Sequence, residues 1–131
     1  MRKVVLMLLA VVLSGNARAE WILVDSDGKA DNYFNTENNH RVGGTITIEF
    51  LSDFAAPENA RGTAPYSSIR SRYEFDCKRG LSRAVETYWY SGKMGTGGLI
   101  RSEKHDDQSG WHQPKAKTPE SDYYFVACGQ N

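Results

Sequence analysis

Cysteine is scarce in this chain, two among 131 residues, too few to build a zinc site from thiolates and enough for one disulfide in an oxidising compartment. Charge of one sign is missing as well. Sixteen Lys and Arg balance sixteen Asp and Glu, so no basic field would draw the protein onto nucleic acid or anionic lipid. No apolar run approaches the roughly 20 residues that a bilayer span requires. Repeats and low-complexity tracts are absent too, and the length suits one domain, or one domain with a removable segment.

What is there begins with a leader. Arg2 and Lys3 precede an apolar run over residues 4–13, and Ala17 and Ala19 place small side chains where signal peptidase cuts. The expectation is a signal peptide over residues 1–19 and a mature domain over 20–131, in preference to a retained membrane anchor or a buried helix. No Cys stands at the cut, which disfavours a lipid anchor. Removing Arg2, Lys3 and Arg18 leaves the mature chain mildly acidic.

The mature chain has a hydrophobic period of mostly two, the pattern of strands. Residues 21–24 lead through Asp25, Ser26, Asp27 and Gly28 into 32–35, a first hairpin. Val42, Gly43, Gly44 and Thr45 mark another turn, after which Ile46, Ile48 and Phe50 alternate with Thr45, Thr47 and Glu49 as in a half-buried strand. Residues 55–65 hold two Pro and one Gly and read as a surface loop. Over residues 66–77, Ile69, Tyr73, Phe75 and Cys77 share one face, and Arg70, Arg72, Glu74 and Asp76 the other. Lys78, Arg79 and Gly80 close a hairpin into 81–91, and the glycine-rich 93–98 a second into 99–102, so these strands pair antiparallel. Residues 103–117 read as an irregular loop anchored by Trp111.

A helix closes the chain. Thr118 is suited to cap it, Pro119 to its first position, and Glu120 and Asp122 to the positive end of its dipole. Its apolar side is expected to carry Tyr124, Phe125 and Cys128. Cys77 lies on the apolar parity of its own strand, so the two thiols face one core from opposite sides. The expectation for an exported chain is a Cys77–Cys128 disulfide, the alternative being two free buried thiols.

Little in the sequence points to catalysis. His105, Asp107 and His112 lie in one polar loop and His40 far upstream, but a seven-residue gap through Gly110 offers a metal no fixed geometry. Residues 93–98 lack the Gly-Lys-Ser/Thr ending of a phosphate loop, and no Ser stands in Gly-x-Ser-x-Gly. No catalytic residue, metal or cofactor is expected. Tyr88, Trp89 and Tyr90 alternate across a strand, so aromatics leave the core on at least one face unless loop 103–117 and Trp111 cover them. Exposed Tyr and Trp suit sugar or protein contact.

Several of these residues together carry a resemblance. Trp21, the run Pro65 to Cys77 with its Tyr73, Phe75 and Cys77 at alternate positions, the turn Tyr90 to Gly97, and Ala127 with Cys128 resemble the surface-adhesin protein E-like domain family of Gram-negative bacteria. That resemblance implies an α+β fold: a six-stranded antiparallel sheet with a C-terminal helix tethered by a disulfide, matching the strand count from the periodicity. It also implies an adhesin-like binding role, in the periplasm or at the cell surface.

The first reading of function is therefore a non-catalytic exported module that contacts a protein or glycan, with a homodimer left open, no nucleic acid and no membrane span. A small periplasmic inhibitor or accessory protein is the alternative, and a His/Asp-based hydrolase a further one. The candidate binding residues are Arg70, Arg72, Tyr88, Tyr90 and Trp111. Arg suits paired hydrogen bonding to carboxylates, and Tyr and Arg are enriched where partners dock. The competing view is a solvated face with a cross-strand ion pair such as Arg72 with Glu86.

Overall fold

The computed structural model describes residues 20–37, 39–59, 62, 64–105 and 110–129. The proposed signal peptide, residues 1–19, and Asp107 lie outside them. Among the described residues seven strands form, β1 (Trp21–Ser26), β2 (Ala30–Asn35), β3 (His40–Val42), β4 (Thr45–Glu58), β5 (Tyr66–Asp76), β6 (Leu81–Tyr90) and β7 (Leu99–Lys104), and the helix α1 spans Pro119–Cys128. They make one antiparallel sheet in the order β1-β2-β4-β5-β6-β7. β3 lies off this path and pairs with the start of β4.

The sheet has seven strands where six were expected, because β3 is only three residues long and fully exposed. A strand that short shows no periodicity to read. Residues 55–65 were expected to be loop throughout, yet β4 continues to Glu58. Pro57 is tolerated there because the β4–β5 register shifts between Asp53 and Glu58, where no ladder donor is required.

The core lies between the sheet and α1. Ile46, Ile48 and Phe50 from β4 and Phe75 from β5 pack against Tyr123 of the helix. The Tyr123 ring stacks on Phe50 with centroids 3.8 Å apart, and its hydroxyl donates to Asn32 Oδ1 at 3.2 Å. The expected apolar side of α1 needs correction: Phe125 is 70% exposed and Tyr123 is the buried residue. At about 100° per residue, positions 123 and 125 are about 200° apart, so a helix that buries one exposes the other. Tyr124, Ala127 and Cys128 do pack against the core. Thr118 occupies the N-cap position without a side-chain capping bond; its hydroxyl donates to Lys115 O instead. Cys77 and Cys128 are joined, with Cα atoms 5.4 Å apart and a sequence separation of 51.

Candidate functional site

Opposite the helix, the outer face of the sheet carries alternating charges whose positions follow from strand register. Arg72 of β5 stands between Glu49 on β4 and Glu86 on β6, and Arg70 between Leu51 and Tyr88. Period-two alternation points all of them away from the core. Arg70 donates through Nε to Glu49 Oε1 at 3.1 Å, and its Nη2 lies 2.9 Å from the same oxygen. Arg72 Nη2 lies 2.5 Å from Glu86 Oε2, which also accepts from the Tyr88 hydroxyl at 3.2 Å. The Arg72–Glu86 pair that the competing view of a solvated face named is thus present.

One end of this face is roofed by the turn between β6 and β7, which folds back across β5 and β4. Ser68, fully buried, donates to Gly92 O at 2.7 Å and accepts from Gly95 N at 2.8 Å. Asp53 accepts from Met94 N at 2.8 Å, and its other oxygen lies 3.3 Å from the Lys93 ammonium. Gly95 has φ +71°, and a Cβ there would stand 3.0 Å from Arg70 Cδ and 3.6 Å from Leu51 Cδ1. The backbone therefore rests directly on the Arg70 stem and covers Leu51, an apolar residue fully buried on the outer face. The glycines of this turn were read as a hairpin connection; their second use, close approach to the sheet, carries no local signal.

Beside the roof lies a pocket of about 340 Å³ lined by Glu49, Arg70, Arg72, Glu86, Tyr88 and Tyr90, together with Ser71. The guanidinium side chains are 39% and 42% exposed, so they remain reachable from solvent. Burial works against the Arg70 charge, but the hydrogen bond and ion pair with Glu49, aided by Tyr90, outweigh it and hold its pKa above the ordinary value. Two cations face two carboxylates, and the pocket is balanced in charge.

Four of the five candidate binding residues, Arg70, Arg72, Tyr88 and Tyr90, meet here. Trp111 does not join them. Residues 110–112 run beside β6, where His112 bridges to Ser82, and Trp111 stacks under the nearly buried Arg83, 5.3 Å from guanidinium carbon to ring centroid. Arg83 in turn lies 2.9 Å from Glu74. Trp89 points to the helix side, where Arg101 covers its ring at 5.1 Å. Glu49 was the pocket residue missed by the sequence reading; its polar parity was visible, but its apposition to Arg70 depends on pairing between distant strands.

The histidines are not gathered into one cleft. His105 Nε2 lies 3.9 Å from Glu103, and His40 pairs across from Thr47 on the exposed β3. His112 Nε2 lies 2.5 Å from Glu120 Oε1, the same oxygen that accepts from Ser82 Oγ. With the carboxylate between them, His112 does not contact the Ser82 hydroxyl as a base would have to. A second groove, about 420 Å³, runs on the helix side between the start of α1 and β5, walled by Tyr73, Tyr123, Ile69 and Thr87.

The fold has known counterparts. Protein E of Haemophilus influenzae, in selenomethionine form, superposes with a TM-score of 0.61 at 13% identity, covering 88% of this chain and 90% of that one. Protein E from non-typeable Haemophilus influenzae gives 0.58 at 12% identity over 88% and 79%. A further crystal form gives 0.57 at 12% over 86% and 97%. No curated protein sequence matches the chain. The Surface-adhesin protein E family, by contrast, matches residues 21–129, which include every described strand and the helix, and the chain belongs to that family.

Proposed function

We propose that this protein is an exported, non-catalytic binding module of adhesin type, which meets a protein or glycan through the outer face of its sheet. Residues 1–19 act as the export signal in this reading, and the mature domain works in the periplasm or at the cell surface. The observation that carries it is the convergence of Arg70, Arg72, Tyr88 and Tyr90, with Glu49 and Glu86, in one solvent-reachable pocket. Tyr supplies large contact area at low conformational cost and Arg supplies directed hydrogen bonds, and both are enriched at docking surfaces. Membership of a family of surface adhesins supports the same reading.

The test is affinity capture with the protein against periplasmic and cell-surface extracts, run in parallel with the Arg70→Gln, Arg72→Gln double variant. The retained species should be lost with the variant while its circular dichroism stays that of the wild type. An unchanged set of retained species on a folded variant overturns the assignment to this face.

A further inference from the structure

We infer that the outer-face pocket takes a neutral saccharide, the end of a glycan chain, and not an anionic or peptide group. The inference rests on the binding role proposed above and names its ligand class.

Both Arg70 bonds to Glu49 fall on Oε1, and Arg72 and Tyr88 both fall on Glu86 Oε2. These contacts use one oxygen of each carboxylate and leave the other as an acceptor. They also leave guanidinium N–H groups of both arginines as donors, since each guanidinium carries five. The pocket thus offers donors and acceptors side by side within about 340 Å³. That volume is at the small end of ligand sites, about 300–1,000 Å³. A sugar hydroxyl donates and accepts at once, so it suits such an alternating lining. Tyr88 and Tyr90, both half-buried, line the same pocket beside these groups. A sulfate, phosphate or carboxylate would meet no net positive field here, because Glu49 and Glu86 already pair the two arginines.

Galactose, N-acetylglucosamine and lactose serve as neutral probes, with a heparin tetrasaccharide as the anionic one, each titrated into protein expressed from the full chain. The expected result is saturation transfer from protein to a neutral sugar, with the Tyr88 and Tyr90 ring resonances shifting. The affinity should change by less than about twofold as NaCl rises from about 0.05 to 0.5 M. Arg72→Gln should weaken it by about tenfold or more, the loss of a hydrogen bond from a charged group. The inference is overturned if no neutral probe at about 10 mM, a concentration well above millimolar dissociation constants, moves those rings. Shifts confined to other residues, or binding of the heparin fragment alone with steep salt dependence, overturn it too. If the neutral sugars leave Tyr88 and Tyr90 unmoved while the double variant still loses its captured partner, the saccharide assignment falls and the docking role survives. If neither effect is seen, both fall.

Discussion

Met94 sits at φ +55°, in the left-handed region where a side chain with a Cβ is disfavoured by about 1–2 kcal/mol. Its neighbours hold it there. Asp53 accepts from Met94 N, Ser68 clamps Gly92 and Gly95, and together they fold the turn onto Arg70. Met94→Gly should therefore raise stability, by about 0.5–1 kcal/mol once the greater freedom of an unfolded glycine is subtracted. Urea denaturation would register this as a higher midpoint at unchanged slope. A second residue-scale contrast concerns two ion pairs. Arg83 is nearly buried against Glu74 and Trp111, whereas the Arg79 side chain is 64% exposed and 3.8 Å from Asp76. Arg83→Ala should cost about 2–4 kcal/mol, for it strips a buried pair of one member and a ring of its partner. Arg79→Ala should change stability by under about 0.5 kcal/mol. Equal effects in denaturant titrations would show that burial does not separate these pairs. The sequence made the Arg72–Glu86 pair legible because one tight turn joins β5 to β6 and nearly fixes their register. The Arg83–Trp111 contact was hidden, since it depends on residues 110–112 aligning beside β6, which no periodicity in the sequence signals.

At the scale of elements, α1 depends on what it is tied to. It has ten residues, shorter than the roughly 12–15 below which isolated helices are marginal in water. Tyr123, Tyr124 and Ala127 pack it onto the sheet, and the Cys77–Cys128 bond holds its end. Closing a loop of 51 residues is worth about 4 kcal/mol in the chain-entropy account. Reduction should lower the melting temperature and remove the helical far-ultraviolet dichroism, and a melting curve unmoved by reductant would count against this. The disulfide was legible because both half-cystines sat on apolar parities. The helix's buried face was read one position off, since Tyr124 and Phe125 look equally apolar and only packing against Phe50 selects Tyr123. The paired strands β5 and β6 were plain in the alternation, while the three residues of β3 were not.

For the molecule as a whole, one property follows from the buried tyrosines and another from the proposed export signal. Burial pushes the Tyr123 hydroxyl from the usual 10.0 up to about 12, and burial with Glu120 nearby raises Tyr73 as well. A folded pKa above the unfolded one stabilises fully below the unfolded value and is lost as pH rises towards the folded value. The protein should therefore lose stability between pH about 10 and about 12. Tyrosinate absorbance should rise in two stages, the second coinciding with loss of near-ultraviolet dichroism. All seven tyrosines ionising together near 10 in a folded protein would contradict the packing around Tyr123. Processing is the other property. Exported material should begin at Glu20, and an intact mass that retains residues 1–19, or carries a lipid adduct, would remove the export reading.

The Cys77–Cys128 bond also turns the second half of the protein into a covalent ring. β6, β7, the residues beside Ser82 and all of α1 up to Cys128 lie on that ring. A protease outside the cytoplasm that cleaves one peptide bond after Lys104 or Lys115 would open the ring without freeing a fragment. Such a nicked molecule keeps α1 attached to the end of β5 and migrates as one species until its disulfide is reduced. After such a cut Glu49, Arg70, Arg72, Glu86, Tyr88 and Tyr90 all remain on one peptide, and the disulfide keeps α1 on the sheet behind them.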